Sequence, residues 1–206
     1  MLISRGEVPP GNVLFLKPVS YFPEIGSPFS IELNLRSNVA VNATDGTIHF
    51  PAQYLTVDRI DTSRSVIDLW GATPEWSNSN GAITWSGGII KPSLVSGKQE
   101  GNILRAIFYA NKAIPIQLTI DDATLLANNG RGDNVLEITG GIRIFPRQKG
   151  FASPDIDNDR HVTARDVAQV VMAMGKRYNT IYDINGDKNI DFKDVSMILD
   201  YYDQLK

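Results

Sequence analysis

Over the first 145 residues, apolar positions fall in short alternating or unbroken runs. Phe29-Ser30-Ile31-Glu32-Leu33-Asn34-Leu35 alternates cleanly, with the period of a half-buried strand. Val13–Leu16, Thr47–Phe50, Val66–Trp70, Ala82–Trp85, Leu104–Ala110, Ile114–Ile120 and Leu136–Phe145 are further strand candidates. Turn formers separate them: Asp45-Gly46, Asn80-Gly81, Gly87-Gly88 and Asn128-Asn129-Gly130. Nothing in this region sustains a helical period. Many short strands in one stretch predict a mainly β jelly-roll sandwich for residues 1–145.

The pattern changes after residue 145. Pro146 and Pro154 bracket a short linker of residues 146–154, stiffened at both ends by fixed φ angles. Its short reach predicts a fixed or close arrangement of the two parts. Beyond it the chain repeats itself at a spacing of 28 residues. Asp155-Ile156-Asp157-Asn158-Asp159-Arg160-His161-Val162-Thr163-Ala164-Arg165-Asp166 is matched by Asp183-Ile184-Asn185-Gly186-Asp187-Lys188-Asn189-Ile190-Asp191-Phe192-Lys193-Asp194. Each copy runs into an apolar stripe at helical spacing: Val167, Val170, Val171, Met174, then Val195, Ile198, Leu199, Tyr202. Residues 155–206 are therefore expected to form a small all-α module of two loop-helix units.

Charge follows the same division. Residues 1–150 carry 13 acids and 13 bases, whereas residues 151–206 carry ten acids, every one Asp, against seven bases. Asp is the acid of turns, caps and metal loops. A calcium ion takes six to eight oxygens, which a 12-residue loop supplies from positions 1, 3, 5, 7, 9 and 12. Positions 1, 3, 5 and 12 are Asp155, Asp157, Asp159 and Asp166 in one copy, and Asp183, Asn185, Asp187 and Asp194 in the other. Position 7, His161 or Asn189, offers a backbone carbonyl, and position 9 is Thr163 or Asp191. The apolar position 8, Val162 or Ile190, is placed to pair the loops across a short β-bridge. Two in-phase copies predict two Ca2+ ions rather than two metal-free helix caps. Position 6 is Arg160 or Lys188 where glycine is usual, so its turn is expected to be strained.

A duplicated D-x-[DN]-x-D-x-x-[VI]-x-x-x-D loop, each followed by one helix, resembles a type I-like dockerin over about residues 153–203. The resemblance implies a calcium-folded module that docks onto a cohesin. It also implies partner contacts at loop positions 10 and 11, Ala164-Arg165 and Phe192-Lys193, with Gln169, Met172 and Lys176 nearby. The order of segments in the β region, Gly26–Leu35, Gln53–Val57, Gly101–Phe108 and Val135–Ile144, is similar to that of a cohesin. Together these imply an extracellular or cell-surface scaffolding protein of cellulosome type. Its partners would be cohesin- or dockerin-bearing proteins, other copies of itself among them.

Other classes find little support. Hydrophobic residues make up 42% of 206, enough for a packed core, and a net charge of -3 leaves no basic footprint for nucleic acid. Cysteine is absent and the histidines are two, His49 and His161, so thiolate and His-rich metal sites are excluded. No apolar run reaches membrane-spanning length, and Met1–Pro10 shows no apolar signal-peptide core. A phosphate-binding glycine loop is missing, and neither histidine accompanies a serine elbow, so the chain reads as non-catalytic. Asp121-Asp122 is expected to point to opposite strand faces, a poor acid–base pair. Trp70, Trp76 and Trp85 are candidates for a sugar-stacking platform, which makes a carbohydrate-binding protein tethered by its dockerin the alternative reading.

Overall fold

The structure, a computed structural model, describes residues 8, 10–90 and 99–204. The opening segment weighed as a signal peptide lies almost wholly outside the described residues. Ten strands form two five-stranded sheets. The first has the order β4 (Leu55–Asp61), β7 (Gln99–Ala110), β2 (Pro28–Ser37), β1 (Val13–Pro18) and β9 (Ile138–Gly140). The second has the order β10 (Ile142–Ile144), β8 (Ile116–Ala127), β3 (Val41–His49), β6 (Ala82–Gly88) and β5 (Leu69–Ser77). Neighbours run antiparallel except β1 and β9, which are parallel.

Burial explains these strands. Ile31, Leu33 and Leu35 of β2 face Leu104, Ala106 and Phe108 of β7 and Ile48, Ile83, Trp85 and Leu118 of the other sheet in one buried core. Their alternates stay at the surface, where Glu32 accepts two bonds from the Arg105 guanidinium, the shorter 2.6 Å. Phe50 and Phe29 pack against Phe108, edge-on at 5.4 Å and stacked at 5.9 Å. Stripping such area from water is what drives the sheets together.

Several expected boundaries shift. Asp45-Gly46 is not a turn but a register shift inside β3, where Gly46 lies under the Trp85 ring; an added Cβ would come within 2.6 Å of it. Gly87-Gly88 likewise continues β6. The strand expected at Val66–Trp70 begins at Leu69 and runs through Pro74, because β5 is a sheet edge where a missing N–H is tolerated. The last run, Leu136–Phe145, divides at Gly140-Gly141: β9 pairs with β1 and β10 with β8, so the chain crosses between sheets there. Asp121 and Asp122 are both exposed, and Asp122 adopts φ 48°.

Beyond the sandwich, α1 (Ala164–Ala173), a 3-10 turn at Thr180–Tyr182 and α2 (Phe192–Gln204) make up the tail. None of the described helices is long and apolar enough to cross a membrane. Val170, Ala173 and Ile198 are buried, whereas Val171 and Leu199, expected on the inner stripe, are exposed. The tail does not hold its core alone. Ile156, Val162, Val170, Ile184 and Ile198 close around Tyr21, Phe22 and Phe145 from the end of the sandwich. The segment after β10 is tied down as well: Phe145 N–H donates to Tyr21 C=O at 2.7 Å, and Arg147 N–H donates to Pro23 C=O at 2.9 Å.

Candidate metal centre

Each loop closes by the same device. Thr163 caps α1 and exchanges a reciprocal pair of bonds with Asp166, a capping box. Asp191 accepts from Lys193 N–H at 2.8 Å while its own N–H donates to Asp194 at 2.9 Å, which repeats the arrangement on α2. The position-12 carboxylates are fully buried. Asp166 accepts from Ile156 N–H and Thr163 N–H, both at 2.8 Å. Asp194 does the same for Ile184 N–H at 2.8 Å and Asp191 N–H. Asp, one methylene shorter than Glu, thus clasps the two ends of its loop. Position 8 does not form the expected β-bridge: among the described residues no bridge joins Val162 to Ile190, and both turn their side chains into the shared core.

The turn at position 6 is left-handed in both copies, φ 74° at Arg160 and 67° at Lys188. A non-glycine residue there is strained by roughly 1 kcal/mol or more. What holds it is the opening carboxylate. Arg160 N–H donates to Asp155 and Lys188 N–H to Asp183, each at 2.9 Å. Position 4 is left-handed too, Asn158 at 58° and Gly186 at 71°.

In the first loop Asp155, Asp157 and Asp159 bring carboxylate oxygens within 4.8 Å of one another. Burial holds the Asp155 carboxyl above its ordinary range; the Arg160 amide opposes this, and the charges of Asp166, Asp159 and Asp157 add to it. A cation bound there would offset both the burial and the mutual repulsion of these carboxylates. His161 N–H is used within the loop, donating to Asp159 at 2.8 Å. Arg165 approaches Asp157 from outside at 3.6 Å.

The second loop carries as many acids, with Asn185 at position 3 and Asp191 at position 9, but more internal donors. Asp183 is only 3% exposed. One of its oxygens accepts from the Tyr178 hydroxyl at 2.7 Å and from Lys188 N–H, and the other has no partner. An orphaned, buried carboxylate oxygen in a ligand position fits a metal. Asp187 accepts from the Lys193 ammonium at 3.0 Å, from Asn185 Nδ2 at 3.3 Å and from Asn189 N–H at 2.9 Å. The Lys193 bond, then the Asn189 amide, holds the Asp187 carboxyl below its ordinary range. Tyr178 and this use of Lys193 were not anticipated from sequence: Tyr178 lies outside the loop, and Lys193 is at position 11.

The two loops should therefore differ. The first, where Asp155, Asp157 and Asp159 converge, is expected to bind calcium more tightly than the second, where Asn185 replaces a carboxylate and a lysine competes for Asp187. Lys193→Ala should strengthen the weaker site by a small factor and leave the stronger one unchanged, as read from a two-site calcium titration. Unchanged binding at both sites would remove Lys193 from this role.

Outside the loops, α1 and α2 present matching surfaces. Ala164, Arg165, Ala168, Val171 and Met172 are exposed on α1, and Phe192, Lys193, Ser196, Leu199 and Asp200 on α2. Burial follows one sequence over 164–172 and again over 192–200. Phe192 is 76% and Met172 60% exposed. Gln169, expected among the contacts, is half-buried. On the sandwich, Trp85 is buried and its Nε1 donates to Thr44 at 3.4 Å, so it is no part of a sugar platform.

Comparison with family models finds no match, and comparison with curated proteins finds none either. Solved structures do match. A non-cellulosomal cohesin from Archaeoglobus fulgidus superposes with a TM-score of 0.54 at 12% identity, over 75% of this chain and 100% of its own. The sixth cohesin of scaffoldin B from Acetivibrio cellulolyticus, solved in complex with a Cel5 dockerin mutant, gives 0.51 at 16% identity over 65% and 98%. The cohesin module of a family 33 glycoside hydrolase from Clostridium perfringens gives 0.51 at 12% over 67% and 99%. The fold is cohesin-like. The cohesin-like match is to the β-sandwich, and each of these neighbours leaves a quarter or more of this chain uncovered.

Proposed function

We propose that this chain is a non-catalytic assembly protein of the cohesin–dockerin kind. Two calcium ions shape the tail, through Asp155, Asp157, Asp159, Asp166 and the His161 carbonyl in one loop, and Asp183, Asn185, Asp187, Asp194 and the Asn189 carbonyl in the other. The shaped tail docks on cohesin-type sandwiches in an extracellular or cell-surface complex, and the cohesin-like sandwich offers its own sheets to dockerin-bearing proteins. The observation that carries this reading is the repeated exposure of α1 and α2, with apolar side chains held outward where burial would otherwise be favoured. Pairing runs between chains, because Phe22 and Phe145 hold the tail at the sandwich end.

Light scattering tests it. The chain is mixed with the Archaeoglobus fulgidus cohesin and with the Acetivibrio cellulolyticus scaffoldin cohesin, in calcium and in chelator. A complex, or growth of the chain alone, that forms in calcium and dissolves in chelator is the expected result. Monomeric mass in every mixture at high micromolar concentration contradicts it.

A further inference from the structure

The second loop is tied to the sandwich at its start, its middle and its exit. At the start, Ala152 N–H donates to the carbonyl of Asp183 at 3.2 Å. In the middle, the Phe151 ring lies against one side of Gly186, where a Cβ would meet the ring at 2.8 Å. Phe151 is itself held, since its carbonyl accepts from Arg147 Nη1. The same guanidinium donates to Phe22 C=O at 3.2 Å and to the Glu24 carboxylate at 3.1 Å, both on the segment that follows β1. At the exit, α2 carries Tyr201 edge-on against Phe22 at 5.4 Å and against Phe145 at 6.2 Å. Phe22 and Phe145 stack on each other at 5.9 Å.

We propose that the end of the β-sandwich is a working part of the second calcium loop: Arg147, Phe151 and Tyr201 position Asp183 and Asp194 for the ion, and the ion in turn locks the tail to the sandwich. The inference rests on the calcium reading above and adds to it. A loop whose ends are already placed loses less freedom when the ion binds, so its affinity is higher. By linkage, whatever the joint gives to ion binding, the ion returns to the joint. Arg147, Phe151 and Tyr201 are positioning residues, since none is placed as a ligand.

The test is calcium titration by calorimetry on the full chain as wild type, Arg147→Gln, Phe151→Ala and Tyr201→Ala. Removing two aromatic edge contacts corresponds to about a tenfold loss of affinity at the second loop, with the first loop changed little. Arg147→Lys should not restore the Arg147→Gln loss, because a single ammonium cannot serve Phe22, Glu24 and Phe151 together. In an Asp183→Asn background the three substitutions should have no further effect. Hydrogen exchange of residues 145–152 should slow on adding calcium in the wild type and not in Phe151→Ala. Emission of the three tryptophans, all in the sandwich, confirms that it is intact in each variant, and Phe151, which lies outside the sandwich core, keeps the test available if Tyr201→Ala does not fold. A wild type that binds no calcium overturns the calcium reading itself. A wild type that binds two ions, with variants that bind identically and with exchange at 145–152 indifferent to calcium, overturns the coupling alone.

Discussion

Chelation of calcium from the intact chain should abolish the helical signal of α1 and α2 and leave the two sheets folded. The tail buries Asp155, Asp166, Asp183 and Asp194 in a span of 40 residues, and buried carboxylates gathered without a counter-charge are costly. Against that stands a small core, which relies on three aromatic side chains lent by the sandwich. An ion present at a hundredfold excess over its dissociation constant adds about 2.7 kcal/mol per site. Two such contributions are comparable with the whole stability of a small domain, on the order of 5 kcal/mol. The sandwich has its own core of buried residues from both sheets and does not depend on the ions. Far-ultraviolet circular dichroism should lose its helical band in chelator while the tryptophan emission, which comes wholly from the sandwich, stays unshifted. Retention of the helical band would show that the tail folds without metal.

Replacement of Phe192 by alanine should cost docking far more than any other change on the tail surface. The two helical stripes occupy equivalent positions, yet they differ in content. Where α1 offers the Ala164 methyl and Arg165, α2 offers a phenyl ring and Lys193. A pocket that fits one is overpacked or left empty by the other, at a cost of about 1–3 kcal/mol. One orientation should therefore dominate, anchored by the most exposed aromatic side chain of the tail. Loss of an aromatic anchor typically costs about 2–4 kcal/mol, roughly 30- to 1000-fold in affinity. Ala164→Ser and Met172→Ala on the other stripe should change it by much less. Equal small losses from either stripe, with binding abolished only by changing both, would mean that the tail docks in two orientations.

What could be read in the sequence was what is local. β2 was visible because its alternation falls within ten consecutive residues and the buried side chains Ile31, Leu33 and Leu35 are apolar. The loops were visible because their ligand positions lie within 12 residues and recur at 28. β5 was obscured because an edge strand needs no buried alternation and tolerates Pro74. Gly46 and the crossing at Gly140-Gly141 were misread because a glycine in a bulge or a sheet change looks like one in a turn. The shared core was invisible for a different reason. Tyr21-Phe22-Pro23 looks like an ordinary turn after a strand, and nothing nearby shows that Phe22 meets Tyr201, some 180 residues later. Tyr178 was missed on the same ground, as a polar contact made from outside the loop it serves.

Calorimetric titration of calcium into the intact chain and its Asp155→Ala and Asp183→Ala variants tests the central claim most directly. Two ions should bind the wild type and one should bind each variant, the weaker site remaining in Asp155→Ala and the stronger in Asp183→Ala. Absence of binding in the wild type, or two ions bound in either variant, would contradict a tail organised by these two loops.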